Sequence, residues 1–576
     1  MNKSIEPQVV PVHPTLLAKY QEFFPPTVIH VTEGIYVARG YNRDNPTLID
    51  GIDGLIVIDP GESIPAAQIV KAAFNEHLDN IFEKKPVKAI IYTHHHDCHI
   101  HGAAVFADEH TEIIAHEKLM SALFDEWYGQ IHPSRMVGGI KMSGIMFKGS
   151  PAFDNNGWYA GYVLTGPNIL GPSGFLPPTK IVKDELKTTI AGIEFHLISA
   201  PAESQDVILV WLPEKEVLIE IGILYEAFPA LVTMRGSGQR NPLDYINSLK
   251  ICRSLNPEYL VALHGPNPVT SGKANVRQYL TNFSDAIQFV HDQTVHYLNM
   301  GYSPGEIMGL LELPPHLADS PYLLETYGSK DWDIYHIFRY YRGYYTGKIR
   351  DLLPQSPLSE AKLSAELAGN IDALVNKAQS TFAAGNFEWA LRLADDVLIL
   401  DPENTSAFET KKSALLALAE NTMNSQARNM LLSEFVEMTG QIFTPYPLDK
   451  PRAIYARMSE NAVLLMPMDT LHRIMAVNLN DSKSKETEMI LDLQLTEKPK
   501  NSQIEPDHYT FYVRKGILEV DPPSSKDSQL VITTDSLTWK ALVLAKLDPA
   551  VAVTDGKVVI TKGTQEGFYA FMDLFV

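Results

Sequence analysis

A layered α/β unit, followed by an all-helical stretch and a small α+β unit, is the fold class that three observations predict. Between about Ile29 and Leu263, short β-branched runs alternate with turns and helices. From about Val276 to Ala419 the strand signal gives way to amphipathic helical text, and after about Ala427 short strand-like runs return between helices. A chain of 576 residues with 45% hydrophobic content exceeds what one core organises, so several domains are expected.

In the first stretch IHVTEGIYVARG, GLIVIDPG, VKAIIYTHH, TEIIAHE, IAGIEFHLISA, VILVWLP, EVLIEIGI and YLVALHG read as strands. IPAAQIVKAAFNEHL and PLDYINSLKICRSL read as helices between them. Polar clusters fall where these strands stop, which is where α/β folds place chemistry. The second stretch opens with NVRQYLTNFSDAIQFVHDQTVHYLNMG. Further on, one Ala-rich helix, AKLSAELAGNIDALVNKAQSTFAAG, breaks at Gly385-Asn386 before NFEWALRLADDVLILDP, the pattern of one tetratricopeptide-type hairpin. A single unit does not make a solenoid, so helical packing or oligomerisation is the expected role.

In the third stretch LLSEFVEMTGQIF, TWKALVLAKL and EGFYAFMDLF read as helices, and HRIMAVNLN, EMILDLQLT, HYTFYVRKGILEV, SQLVITTD and KVVITKG as strands of an antiparallel sheet. It holds no charged triad, so binding or scaffolding is expected of it. Phe568, Phe571, Met572 and Phe575 in the last helix are expected to be ordinary core rather than a lining for an apolar ligand.

A formal charge of −21 argues against nucleic acid or an anionic membrane as partner, since phosphate binding needs a Lys/Arg footprint. An anionic small substrate would then need a local cationic pocket. Two cysteines, Cys98 and Cys252, exclude a disulfide framework. MNKSIEPQVVPVHPTLL has no apolar signal core and no window offers eighteen uninterrupted apolar residues, so the expectation is a soluble, cytoplasmic protein without a transmembrane segment.

The chemistry concentrates in IYTHHHDCHIHGAA, where five histidines, Asp97 and Cys98 occupy seven of the eight positions from His94 to His101. Histidines two residues apart at a strand exit point both imidazoles to one side, and neutral imidazole is a favoured zinc ligand. A metal nest is therefore expected. His30, His110 and His116 lack such neighbours and are expected to be structural or solvated.

His94-x-His96-x-x-His99 with Gly102 resembles the His-x-His-x-Asp-His loop of the metallo-β-lactamase fold, and GLIVIDPG resembles the strand whose aspartate, Asp59 here, supports that loop from behind. Over almost its whole length the chain is similar to the alkylsulfatases. ALVTMRGSGQRNPLDYINSL resembles their Thr-Leu-Arg-Gly segment; HDQTVHYLNMGYSPGEIMGLLELP and AAGNFEWALRLADDVLILDPEN resemble their helical dimerisation domain. FYVRKGILEV and VAVTDGKVVITKGTQEGFYAFMDLF resemble their sterol-carrier-like module. The resemblance implies an αββα metallo-β-lactamase-like catalytic domain over 1–275, a helical dimerisation domain over 276–422 and a sterol-carrier-like α+β domain over 423–576.

By the same resemblance His94 and His96 bind one metal and His99 the other. The family's aspartate falls on Cys98, so either the Cys98 thiolate or Asp97 takes its place. Glu203 is the carboxylate for the first metal, with Asp206 behind it, and His264 in LVALHGPNP matches the last metal-binding histidine. The bridging glutamate of the family falls on Gly222, with Glu220, two residues earlier in the strand, as the alternative. Arg235 matches the arginine that grips sulfate; the asparagine that assists it is replaced by Ala230, and Arg240 is either a second contact or a structural salt bridge.

The expectation is a homodimeric hydrolase that uses two zinc ions, with iron as the alternative, to activate water and cleave an amphiphilic alkyl sulfate into alcohol and sulfate. The departures at Cys98, Gly222 and Ala230 leave open another ester hydrolase, an iron-dependent oxygenase, or a non-catalytic dimeric homologue with one structural metal.

Overall fold

The computed structural model describes residues 12–144, 169, 171–440, 455, 458–497, 507–521 and 527–575. These form two compact units, one from residues 1–119 and 138–443, the other from 120–137 and 444–576.

The first unit contains two sheets. One runs in sequence order through β1 (Thr27–Thr32), β2 (Ile35–Arg39), β3 (Thr47–Asp50), β4 (Leu55–Ile58), β5 (Val87–Ile91), β6 (Glu112–His116) and β7 (Lys180–Val182). It is antiparallel as far as β4 and parallel beyond it. The other holds β8 (Glu185–Ile190), β9 (Ile193–Ser199), β10 (Ile208–Leu212), β11 (Val217–Glu220), β12 (Tyr259–Ala262) and β13 (Val269–Ser271), in the order β13-β12-β11-β10-β9-β8. Only β11 and β12 are parallel there.

Alternation assigns the faces. Ile208, Val210 and Leu212 of β10 meet Ile56, Ile58 and Ile91 of the other sheet in a shared core, while Leu209 and Trp211 point outward to the helices. Of those, α1 (Ile64–His77) packs beside β1 and β2, and α3 (Pro242–Leu255) and α4 (Lys273–Asn299) cover the second sheet through Leu249, Leu280 and Phe283. The layers are thus αββα, as expected. Among the helical segments between α1 and α3 is one short turn, α2 (Asp97–Ile100), and further on the longer helix His132–Ser143. Strands β3, β7, β8 and β13 escape a pattern reading; three of them span only three or four residues, too few for a period to register.

The helical part continues with α5 (Lys330–Arg342), α6 (Pro357–Ala368), α7 (Ile371–Ala383), α8 (Phe387–Leu400), α9 (Thr405–Asn421) and α10 (Ser425–Met438). The expected single Ala-rich helix is in fact two, because Asn370 caps a new start by accepting the Ala373 N–H at 2.8 Å. Small residues such as Ala378, Ala394 and Ala407 let the hairpins close-pack. Helix α10 belongs to this first unit, which runs on to residue 443. Its Ser425, Gln426, Arg428, Asn429 and Ser433 are all fully buried, and their bonds tie it to the chain before it.

In the second unit β14 (Glu488–Leu495), β15 (His508–Arg514), β16 (Ile517–Val520), β17 (Leu530–Thr534) and β18 (Val558–Lys562) pair in the order β16-β15-β14-β17-β18. The sheet is mixed rather than antiparallel, since β14 and β17 run parallel. HRIMAVNLN is not a strand but part of α11 (Met468–Val477), whose buried Met468, Leu471, Ile474 and Met475 recur at helical spacing. With α12 (Ser536–Val543) and α13 (Gln565–Met572) it covers the sheet; Phe568, Phe571, Met572 and Phe575 join Trp539 in that core. A cavity of about 680 Å³ opens beside them, lined by Leu542, Leu547, Tyr569 and Met572 among others. The end of LLSEFVEMTGQIF lies outside the described residues.

Candidate metal centre and anion pocket

The ladder of β5 stops at Ile91, because the Thr93 N–H and hydroxyl turn aside to Asp59, at 2.8 and 2.5 Å. Asp59 itself sits in the left-handed region, φ 50°, at the exit of β4. Gly102 follows the nest because a side chain there would run into the Pro60 carbonyl and lie 2.7 Å from Ala67 Cβ on α1.

Two donor triads result. His94 Nε2 and His96 Nδ1 lie 3.2 and 3.6 Å from the same Glu203 oxygen, Oε1. Cys98, His99 and His264 form the second, and within each triad the donor atoms lie no more than 4.8 Å apart. His99 Nδ1 is held between Asp59 and Asp44, at 2.9 and 3.0 Å. This pair of carboxylates orients the ring, the usual support for a ligand imidazole. His99 Nε2 and His264 Nδ1 are buried and find no hydrogen-bond partner among the described residues. Such atoms are costly unless a cation completes them, and sets of two nitrogens with an oxygen or a sulfur suit zinc. The residues present therefore fit a divalent metal.

Electrostatics agree. Burial, then the neighbouring His99, lowers the His94 pKa, and burial with nearby cationic groups holds His96 and His264 well below the ordinary value. All three shifts favour the neutral ring, the form that binds metals; His99 goes the other way, because against burial the charges of Cys98, Asp59 and Asp44 raise it well above the ordinary value. Burial works against ionised Glu203, yet the hydrogen bond from His94 and the charge of Arg240 hold its carboxyl well below the usual range. Burial pushes the Cys98 thiol up. A coordinated cation reverses that, because a ligating thiol is deprotonated outright.

The remaining candidates separate cleanly. Asp97 opens α2 and faces Arg43 at 3.3 Å, outside both triads, so of the two alternatives Cys98 is the one in the cluster. Asp206 bonds His95 Nδ1 at 2.9 Å and thereby braces the nest instead of joining it. Glu220 stays out as well: β11 ends there, and its side chain shares the outward face with Leu218. It accepts the Leu224 N–H at 3.2 Å, and burial raises its pKa well above normal, which favours the neutral form. Gly222, at φ 68°, carries no ligand; the space its side chain would fill is taken by Glu203, whose Cγ and Cδ lie 2.6 Å from where a Cβ would stand.

One cavity is lined by His96, Cys98, Glu203 and His264 together with Arg43, Arg235 and Tyr327. Arg235 Nη2 lies 3.2 Å from His96 Nε2. Arg240 lines the same cavity and donates to the Ala230 carbonyl at 2.8 Å, to Tyr245 at 3.3 Å and to Glu203 Oε2 at 3.4 Å. Arg43, Asp44 and Tyr327 were not anticipated, since they sit in loops without periodicity or motif. Elsewhere, His30 stacks on Tyr36, His110 is exposed and His116 bonds Ser199 at 3.0 Å. None of these three joins the cluster.

Comparison with known proteins adds to this geometry. Residues 42–264 match the profile of the metallo-beta-lactamase superfamily, 303–441 that of alkyl sulfatase dimerisation and 456–576 that of the alkyl sulfatase C-terminal domain. A linear primary-alkylsulfatase of a Pseudomonas species is 29% identical over 498 residues, covering 85% of this chain and 90% of the relative. An (R)-specific secondary-alkylsulfatase, also from Pseudomonas, is 25% identical over 95% of this chain and 81% of its own. The solved structure of the stereoselective inverting sec-alkylsulfatase Pisa1 from Pseudomonas superposes with a TM-score of 0.82 at 21% identity, over 99% of this chain and 92% of that one. No described helix is long and apolar enough to cross a membrane.

Proposed function

Because this chain belongs to the alkylsulfatase family, we propose that it hydrolyses an alkyl sulfate ester to an alcohol and inorganic sulfate, with His94, His96 and Glu203 holding one zinc ion and Cys98, His99 and His264 a second. The observation that carries this reading is that two members of each donor triad, His96 with Glu203 and Cys98 with His264, line one cavity together with Arg235.

Bound there, divalent metal supplies Lewis-acid chemistry, bringing the pKa of water from 15.7 toward about 7 and offsetting negative charge on the ester. The protein does the rest. Arg235 presents a planar fork of donors to two sulfate oxygens, fixing the ester against the metal ligands and spreading charge as the C–O or S–O bond lengthens. Arg240 pins Glu203 through Oε2, so that Oε1 stays aimed at His94 and His96. Asp59 and Asp44 hold the His99 ring in its orientation.

The dimerisation segment offers exposed Tyr344, Ile349, Leu353 and Leu367, an apolar surface that a second copy of the chain would cover in a homodimer.

The test is elemental analysis combined with sulfate release from a medium-chain alkyl sulfate. Two zinc equivalents and chelator-sensitive turnover are expected. Iron with oxygen consumption, or a single metal without turnover, would overturn the reading.

A further inference from the structure

Five polar side chains of α10 are fully buried: Ser425, Gln426, Arg428, Asn429 and Ser433. Burying amides costs free energy unless each is bonded, so their partners reveal what the helix is for. Gln426 Oε1 accepts the N–H of Met234, the residue before Arg235, at 3.1 Å, and its Nε2 donates to the Tyr327 carbonyl at 3.0 Å. Asn429 Nδ2 donates to the Met142 carbonyl at 2.8 Å. Arg235, Tyr327 and Met142 all line the cavity of the metal centre. They come from three segments far apart in the chain, and one helix grips the backbone of each.

We propose that Gln426 and Asn429 are positioning residues for the substrate pocket: Gln426 sets Arg235 and Tyr327, and Asn429 sets Met142, so that the sulfate-binding guanidinium is aimed from behind by a helix of the dimerisation segment. A buried amide that bonds two segments at once is suited to this, because either bond lost leaves an unsatisfied group and a wall free to shift. None of the proposed metal ligands lies on α10, and the bonds of Gln426 to Met234 and Tyr327 and of Asn429 to Met142 run to the pocket wall, so metal loading is expected to be independent of the clamp.

This inference rests on the reading that Arg235 meets the sulfate, so Arg235→Ala is the comparator. Gln426→Met keeps the volume and removes both bonds; Gln426→Glu keeps the acceptor for Met234 and, protonated, the donor for Tyr327. The readouts are KM and kcat for an alkyl sulfate, competitive inhibition by inorganic sulfate, and metal content. Gln426→Met is expected to raise KM and weaken sulfate inhibition by about tenfold, the scale of one buried hydrogen bond, at native metal content, with Gln426→Glu restoring most of it. Asn429→Ser, which releases Met142 and, on its own helix, the Arg428 Nη1 that Asn429 Oδ1 accepts at 3.0 Å, raises KM for the ester and leaves sulfate inhibition unchanged.

If Arg235→Ala leaves sulfate inhibition untouched, the functional reading fails. If Arg235→Ala weakens it while Gln426→Met does not, the positioning role fails. Should Gln426→Met not fold, an unchanged ester KM in Asn429→Ser overturns the proposal on its own.

Discussion

Replacing Gly222 by alanine perturbs the centre without touching a ligand. The new methyl would stand 2.6 Å from Cγ and Cδ of Glu203 and closer still to Oε1, so the carboxylate must withdraw by about 1 Å to reach ordinary contact. Alanine at φ 68° adds a left-handed backbone cost of about 1–2 kcal/mol. Withdrawal weakens the contacts of Glu203 with His94 and Arg240, charge-assisted bonds of about 1.5–3 kcal/mol each. A ligand misplaced by that distance lowers turnover by about a hundredfold. Gly301→Ala is the control, because Gly301 has a similar φ of 88° and nothing within 4 Å of where its added methyl would stand. The assay compares sulfate release and metal retained during chelator titration. If the two variants behave alike, Glu203 does not occupy the space above Gly222 in the working enzyme.

In cobalt-loaded protein a sulfur-to-metal charge-transfer band is expected in the near ultraviolet, lost in Cys98→Ala with one metal equivalent and lost in Cys98→Asp without it; a band surviving in Cys98→Ala assigns the thiolate elsewhere. Arg235→Lys, which exchanges a bidentate fork for a point charge, should raise KM for the ester by about tenfold at unchanged metal content; an unchanged KM sinks its role. A pH effect is expected in the second unit, where His472 is packed between Tyr509 and Phe511 near Lys540, and burial first, then Lys540, lowers its pKa to about 3. The folded state keeps the ring neutral while the unfolded chain, near 6.5, takes up a proton. Stability is therefore whole above pH 6.5 and falls as pH drops toward 3, by about 2 kcal/mol at pH 5. His472→Leu should flatten that part of the unfolding profile, and an identical acid slope in both proteins refutes the assignment.

Much of this was legible in the chain because it rests on local pattern. The nest declares itself by spacing at a strand exit; His264, a lone histidine after β12, is found only through the resemblance of LVALHGPNP to the alkylsulfatases. What was not legible depends on space between distant segments. Nothing local tells that Glu203 fills the room above Gly222, or that Asp44 and Asp59 share His99 Nδ1. Glu220 misleads because alternation carries a side chain to one face only while the strand lasts, and β11 ends at that residue. HRIMAVNLN misleads because its β-branched and alternating letters fit either period; Met468 upstream, with Leu471, Ile474 and Met475, decides for a helix once all are seen to be buried.

Strand β10 is covered on both sides, with Ile208 and Val210 in the sandwich and Leu209 and Trp211 under the helices. It has no solvent face, so sliding it by one residue would exchange two differently shaped sets of side chains at once. The strand thus acts as a ruler for the loop that precedes it, fixing where Glu203 stands relative to the histidines across the sandwich. Redesign of substrate scope has more freedom at the walls contributed by Met142 and Tyr327 than in the stretch from Ala200 to Val207, where added length has nowhere to be absorbed.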